Sequence, residues 1–207
     1  KQAAESAGLV AAHFANADRS TDAGCHTLRE RMTDTTNPED LFNMLRELGS
    51  KVRKPSQIII GGSLSLMLSY WIDRATEDVD LVDEVPAALR EQPELLDEYA
   101  KRYGLRITHF QSHYLPDGWR NRVQSLGVFG SITAYRVDPI DVVVGKLFSR
   151  RTKDLDDIRH SLPNIELETF RQRVARDGKS LASDPQFESN ARYNWYVLTG
   201  ESDFPRI

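Results

Sequence analysis

The sequence is poor in cysteine and histidine. Cys25 is the single cysteine among 207 residues, which excludes an intramolecular disulfide and a zinc site built on several thiolates, and favours a reducing compartment. Of the five histidines, only His109 and His113 lie close together, and they straddle the end of a predicted strand instead of sharing a helix face. We therefore expect no zinc centre.

An excess of positive charge is also missing. Lys plus Arg number 27 and Asp plus Glu number 31, so the net charge is −4. A protein that coats nucleic acid needs concentrated positive charge, because its binding then releases counterions from the phosphates. Any contact with a polynucleotide is therefore expected to be local.

No stretch of the sequence is long and apolar enough to span a membrane. The longest uncharged run, residues 55–72, is broken by Gly61, Gly62 and several serines, whereas a span needs about 20 predominantly apolar residues. No secretory leader pattern opens the sequence. We expect a cytoplasmic protein with no membrane partner.

Periodicity divides the chain into three regions. Residues 1–36 are weakly periodic and are interpreted as an N-terminal extension. Residues 37–161 alternate predicted strands and helices, which predicts an α/β domain. Residues 162–207 predict only helices, as a C-terminal region packed on that domain.

The clearest pattern in the α/β domain is strand, glycine turn, helix, strand. Residues 56–60 form a β-branched run typical of a strand buried on both faces, the run Gly61-Gly62-Ser63 interrupts it, and residues 64–74 predict a buried helix. Residues 78–82 alternate acidic and apolar side chains, which predicts a second strand. The other predicted elements are helices at 38–49, 93–102, 138–150, 154–161, 166–175 and 185–198, and strands at 105–110 and 131–137.

Two acidic side chains on the second strand define a candidate metal site. Asp78 and Asp80 are two residues apart, so both side chains leave the same face of the strand. Neighbouring carboxylates repel each other unless a cation lies between them, and hard divalent ions take oxygen ligands. An isolated pair of this kind is more often a solvated strand face. The order of the surrounding elements favours the metal site.

The glycine turn is a candidate site for phosphate. Its backbone N–H groups can approach an anion closely, and a helix that begins at Ser63 directs its positive end to the same place. The alternative is a tight connection without a ligand. Together with Asp78 and Asp80, the turn favours phosphoryl or nucleotidyl transfer, in which the protein mainly positions groups and neutralises charge.

These motifs resemble a known family. The turn, followed by Arg74-Ala75-Thr76-Glu77-Asp78-Val79-Asp80, resembles the signature of the DNA polymerase β-like nucleotidyltransferase superfamily, and within it the AbiEii-type toxins and the family DUF6036. Asp138-Pro139-Ile140-Asp141 and the later run from Lys146 to Asp157 are similar to the same pattern. The resemblance spans about residues 37–161. It implies a nucleotidyltransferase fold of the α/β (α+β) class, with a small mixed sheet flanked by helices and a helical C-terminal region.

The resemblance implies roles for the matched residues. Asp78 and Asp80 would hold Mg²⁺ or Mn²⁺. The NTP would be held by the residues of the turn and by the arginine before the second strand, which are Gly61, Gly62, Ser63 and Arg74.

A lysine and a later aspartate matter to activity in the AbiEii-type enzymes, and Lys146 with Asp154 or Asp157 occupies those positions. If the helix at 138–150 persists beyond its predicted end, Lys146, Arg150 and Lys153 share one of its faces. That face would meet phosphates, or it would be solvated and paired with the two aspartates.

The implied activity is metal-dependent transfer of an NMP group from an NTP to an acceptor hydroxyl. The implied context is the toxin of a toxin–antitoxin or phage-defence system, which acts on tRNA or a protein and has an antitoxin as partner. Two alternatives stay open. One is a small-molecule nucleotidyltransferase of the aminoglycoside type, which would need an acidic acceptor pocket. The other is a degenerate module that binds NTP without turnover, because no third carboxylate is evident beyond the weak candidates Asp138 and Asp83.

Overall fold

The computed structural model describes residues 37–207. The predicted extension over residues 1–36, which contains Cys25, lies outside them. Residues 37–207 form five strands and eight α-helices. In chain order these are α1 (Pro38–Lys51), β1 (Ser56–Ile60), α2 (Gly62–Met67), β2 (Asp78–Val82), α3 (Ala87–Arg90), α4 (Pro93–Tyr103), β3 (Arg106–Phe110), β4 (Gln124–Phe129), β5 (Ile132–Arg136), α5 (Pro139–Leu147), α6 (Thr152–Ser161), α7 (Leu167–Asp177) and α8 (Pro185–Thr199).

The strands form one mixed sheet in the order β3-β2-β1-β5-β4. β1 is parallel to β5 and β2 is parallel to β3, whereas β1 pairs antiparallel with β2, and β4 pairs antiparallel with β5. The central β1 buries Ile58 and Ile60. The Gly61 N–H donates to the Asp80 carbonyl at 2.8 Å. The acidic start of β2 therefore lies beside the turn that follows β1.

Helix α5 connects the sheet to the helical part of the chain. It starts directly after β5 and packs against α2, α6, α7 and α8. Asn194 on α8 donates from its side-chain amide to the carbonyls of Leu147 at 2.8 Å and Ser149 at 2.9 Å. These bonds satisfy carbonyls that the end of a helix leaves without a partner. No helix within residues 37–207 has the length and apolar character to cross a membrane.

The helix after the glycine turn is shorter than the sequence predicts. The apolar run predicts a helix to residue 74, but α2 ends at Met67. Tyr70 adopts a left-handed conformation with φ +59, and the N–H groups of Tyr70 and Trp71 bond back to the carbonyls of Met67 and Leu66 at 2.9 and 3.1 Å. This is the hydrogen-bond pattern of a Schellman motif, which ends a helix. The helical prediction for residues 68–74 is therefore wrong.

The helix predicted over 138–150 also ends early. α5 stops at Leu147 and α6 starts at Thr152, so Lys146, Arg150 and Lys153 do not lie on one helix. The prediction of a shared cationic face is wrong, because residues 148–151 leave the helical path. Two elements, α3 and β4, are absent from the sequence-based expectation.

Candidate active site

The glycine turn lies against the second carboxylate of β2. Gly62 adopts φ +59, and a Cβ at this position would overlap Asp80 Oδ2. Glycine is therefore needed both for the left-handed backbone and for the close approach. Asp80 is half-buried, whereas Asp78 is exposed at the start of the strand.

A threonine on the neighbouring strand holds Asp80. Thr108 on β3 is the register partner of Asp80, and its hydroxyl donates to Asp80 Oδ1 at 2.8 Å. Within residues 37–207, no other side chain hydrogen-bonds or ion-pairs with the carboxylates of Asp78 and Asp80. Sequence reasoning missed Thr108, because a predicted strand gives no register with its neighbour.

The free carboxylate oxygens fit one hard divalent cation. Mg²⁺ and Mn²⁺ accept one or two protein carboxylates and complete their shells with water and phosphate oxygens. Within the described part of the chain, no group of three acidic, histidine or cysteine side chains could hold a metal. Asp138 instead caps α5 by accepting from the Ile140 N–H at 3.0 Å, and Asp83 accepts from Arg120 at 2.6 Å. Both of these aspartates therefore have partners other than Asp78 and Asp80.

Four polar side chains converge beside the turn. The Ser63 hydroxyl donates to Asp157 Oδ2 at 2.7 Å, and it accepts from Arg74 Nη2 at 2.6 Å and from Lys146 Nζ at 3.2 Å. Arg74 Nε lies 2.9 Å from Asp157 Oδ1, and Lys146 Nζ lies 2.9 Å from Asp157 Oδ2. The structure thus brings together a hydroxyl, two cations and a carboxylate from four separate segments.

Lys146 is buried between two aspartates. Its side chain is 8% exposed and pairs with Asp154 as well as Asp157. Asp154 also accepts from Arg151 Nε and from the Ser149 hydroxyl, each at 2.6 Å. The sequence left open whether Asp154 or Asp157 occupies the position of the aspartate that accompanies Lys146. In the structure both aspartates pair with Lys146, but only Asp157 also contacts Ser63.

The lysine determines the charge state of both aspartates. Burial raises the pKa of Asp157, but the charge of Lys146 and hydrogen bonds from Arg74, Lys146 and Ser63 outweigh it, so the net pKa is lowered. Burial likewise raises the pKa of Asp154, but Lys146, Ser149 and Arg151 outweigh this effect, so the net pKa is lowered. Both aspartates are therefore ionised at neutral pH.

A cavity of about 460 Å³ opens next to these groups. Gly62, Asp80 and Lys146 line one part of it. The rest of the wall is mainly apolar and aromatic, and includes Phe110, Tyr114, Leu115, Phe148, Leu181 and Phe187. Sequence reasoning missed this pocket, because its walls come from segments far apart in the chain and its apolar and aromatic residues belong to no motif.

A family model described as "Nucleotidyltransferase of unknown function (DUF6036)" matches residues 38–199. The chain belongs to this family. The mixed sheet flanked by helices agrees with the nucleotidyltransferase-like α+β fold expected from the resemblance. The match runs across the predicted boundary at residue 161, and that boundary stays a prediction. Comparisons with curated proteins and with solved structures found no match.

Two residues of the DUF6036 turn have different surroundings. Gly62 contacts Asp80, as described above, whereas Gly61 is buried, and a Cβ there would lie 2.6 Å from the ring of Phe110. Gly61 therefore makes room for an aromatic ring. α2 has six residues, too few for a strong helix dipole, and the cations beside the turn are Arg74 and Lys146.

Two cations of this DUF6036 chain, Arg150 and Lys153, lie outside the buried group around Ser63. Arg150 and Lys153 are both exposed, and neither forms an ion pair within residues 37–207. Arg150 lines the cavity, whereas Lys153 does not. Of the three cations that the sequence grouped together, only Lys146 reaches Ser63.

Proposed function

We propose that this DUF6036 protein transfers an NMP group from an NTP to an acceptor hydroxyl, with a divalent metal ion bound by Asp78 and Asp80. One observation carries the proposal: Asp80 touches the turn at Gly62, directly beside the point where Arg74 and Lys146 meet Ser63. Carboxylates for a metal and cations for phosphates are thereby adjacent. Nucleotidyl transfer needs this arrangement, because its catalysis is mainly positioning and charge stabilisation.

In the proposed reaction, the acceptor oxygen forms a bond to the α-phosphorus while the bond from that phosphorus to the leaving oxygen breaks. Pyrophosphate leaves, and the acceptor proton passes to water. A bound Mg²⁺ supplies Lewis-acid polarisation of the phosphate oxygens. Arg74 and Lys146 donate N–H groups to the β- and γ-phosphates, and Asp157 holds both cations in position.

An aminoglycoside acceptor is less well supported. Such a polycation needs an acidic pocket, but the cavity beside Asp80 is also lined by Lys146, Arg150 and Arg151. These cations oppose the entry of a polycation.

A binding module without turnover is the second candidate function. The supporting observation is that no third acidic side chain joins Asp78 and Asp80 within residues 37–207. Without it, no third carboxylate among the described residues is in place to take the proton from an acceptor hydroxyl.

The resemblance to AbiEii-type toxins extends the proposal to biological context. We propose that the acceptor is tRNA or a protein and that a cognate antitoxin blocks the reaction. Induced expression in a bacterial host should then arrest growth, and the variant Asp78→Ala/Asp80→Ala should not. Growth arrest by both forms, or by neither, contradicts a toxin role.

The activity test is pyrophosphate release from each of the four NTPs with Mg²⁺ or Mn²⁺, with and without total tRNA. Wild type is compared with Asp78→Ala/Asp80→Ala and with the matched control Asp73→Ala/Glu77→Ala, which removes two exposed carboxylates just before the metal-binding pair. Release that requires tRNA, and that only the first variant abolishes, supports a transferase with an RNA acceptor. If no pyrophosphate is released under any condition but NTP still binds, the result supports the binding module. Absence of both activity and binding overturns the proposal.

A further inference from the structure

The lining of the cavity beside the turn has two chemically different parts. Gly62, Asp80 and Lys146 belong to the polar part, where the proposed phosphates and metal are bound. The apolar part includes Leu181 and, at the start of α8, Phe187. A ligand with anionic groups at one end and a flat apolar ring at the other matches this arrangement.

Aromatic rings form much of the apolar part of the lining. The rings of Tyr114 and Phe187 have centroids 6.0 Å apart, with an interplanar angle of 40°. Tyr114 is 47% exposed, so its ring is accessible. Phe110 lies against Gly61, which extends the aromatic wall to the turn itself.

The aromatic wall is positioned by a close backbone contact. A Cβ on Gly145 would overlap the carbonyl oxygen of Tyr114, so glycine at this point of α5 allows the loop with Tyr114 to pack directly on the helix. The next residue of α5 is Lys146. The same turn of α5 therefore carries Lys146, the cation proposed to meet the phosphates, and supports the loop that contains Tyr114.

Most polar side chains in the wall already have partners. Lys146, Ser149 and Arg151 all donate to Asp154. Among the lining cations, only Arg150 makes no hydrogen bond or ion pair within residues 37–207. A pocket of this kind binds a flat ring through stacking and apolar contact, and forms few hydrogen bonds to the polar atoms at the edge of the ring.

We propose that this pocket binds the nucleobase of the donor NTP, stacked against Tyr114 and Phe187. The inference rests on the proposed function and adds where the base lies and how it is held. The cavity volume of about 460 Å³ is typical of a site for one small organic ligand. A macromolecular acceptor is too large for it and reaches the site from the side of Asp78, which is exposed.

Stacking also sets the expected base preference. Strong discrimination between similar ligands requires buried polar groups that one ligand satisfies and another does not. Because the buried polar side chains of the wall, Lys146 and Asp154, already have partners, we expect the dissociation constants of the four NTPs to agree within about tenfold.

The test compares NTP binding with binding of inorganic tripolyphosphate, which has the phosphates but no base. Titration calorimetry with Mg²⁺ would use α,β-methylene analogues of the four NTPs. In Phe187→Ala and Tyr114→Ala, the affinity for every analogue should fall at least about fivefold, because base stacking is lost. The affinity for tripolyphosphate should stay within about twofold.

Tyr196→Ala is the matched control, because Tyr196 is an aromatic residue of the same helix as Phe187 but is 59% exposed and does not line the cavity. Phe187→Leu keeps the apolar bulk and serves if Phe187→Ala does not fold. Equal loss of tripolyphosphate and NTP binding, unchanged NTP binding, or a preference above about a hundredfold for one base overturns the inference. Failure of wild type to bind either ligand overturns the proposed function instead.

Discussion

The carboxylate of Asp157 accepts a 2.7 Å hydrogen bond from the hydroxyl of Ser63, and so joins α6 to the turn after β1. The same carboxylate pairs with Arg74 and Lys146. Asp157 is 3% exposed, so these interactions take place largely out of water. An anionic side chain therefore fixes the donors that would meet the phosphates of a nucleotide.

Removal of this carboxylate should destabilise the fold. Asp157→Ala leaves buried Lys146 with one partner fewer and removes the anion that faces Arg74. We expect the free energy of unfolding to fall by about 3 kcal/mol, since breaking a buried ion pair leaves an uncompensated charge. Urea denaturation measures it. Asp156→Ala, which removes an exposed carboxylate of the same helix, should cost less than about 1 kcal/mol. Equal losses in the two variants would contradict a special role for Asp157.

The contribution of Asp157 should disappear in acid. Its pKa is lowered in the folded state, because Lys146, Arg74 and Ser63 outweigh the effect of burial. The stabilisation of the fold by Asp157 is therefore fully present above the pKa of an aspartate in the unfolded chain, about 3.9. It is lost as the pH falls through the lower pKa of Asp157 in the folded state. We expect the difference in free energy of unfolding between wild type and Asp157→Asn to be constant from pH 7 to 5 and to shrink below pH 4. A difference that is constant down to pH 2 would show that ionised Asp157 does not stabilise the fold.

Gly62→Ala should damage the site more than the fold. The left-handed backbone alone costs alanine about 1–2 kcal/mol, and the added Cβ also overlaps the Asp80 carboxylate. Gly104→Ala is the control, because Gly104 adopts a similar φ of +65 with no atom within 4 Å of an added Cβ. Both variants should lose similar stability in urea. Only Gly62→Ala should lose NTP binding and pyrophosphate release, and equal nucleotide binding in the two would contradict the contact with Asp80.

Thr108→Val should weaken metal binding without loss of fold. Valine keeps the shape of threonine but removes the hydroxyl that donates to Asp80, so the carboxylate is held less firmly. One hydrogen bond of about 1 kcal/mol corresponds to a fall in Mn²⁺ affinity of about fivefold, measured by electron paramagnetic resonance of free Mn²⁺. Thr133→Val, at a half-buried position of β5, should leave the affinity unchanged. A wild-type affinity in Thr108→Val would mean that Asp80 is positioned without it.

Tyr70→Gly should stabilise the protein. Tyr70 is 86% exposed and adopts φ +59, where glycine has no steric penalty. We expect a gain of about 1 kcal/mol in the free energy of unfolding after the entropy of glycine in the unfolded chain is subtracted. Tyr70→Ala should give no such gain, which separates the backbone effect from loss of the ring. Equal gains in the two variants would show that the ring itself is unfavourable.

The local part of the site could be predicted from the sequence. β1, the glycine turn and β2 are contiguous, and their hydrophobic periods and turn residues act within a few positions of each other. Asp78 and Asp80 follow from the two-residue repeat of a strand. The end of α2 could not be predicted in this way, because an apolar run favours a helix and the left-handed conformation of Tyr70 leaves no mark in the sequence.

The long-range part could not be predicted. The pairing of Arg74 with Asp157 depends on how α6 packs against the turn, and the contact between the rings of Tyr114 and Phe187 depends on the position of α8. β4 was missed because Gly127 interrupts its alternation and lies at a register shift against β5. These features follow from tertiary packing, which overrides local preference.

The distribution of the site along the chain has a consequence for protein synthesis. The turn and β2 are synthesised before α5 and α6, and Phe187 follows on α8. Because domains acquire tertiary packing only when their contacting segments have emerged, a nascent chain that stops before α6 has the carboxylates of β2 but no Asp157 to hold Arg74 and Lys146. The carboxylates and the ordered cations therefore come together only after α6 has been synthesised.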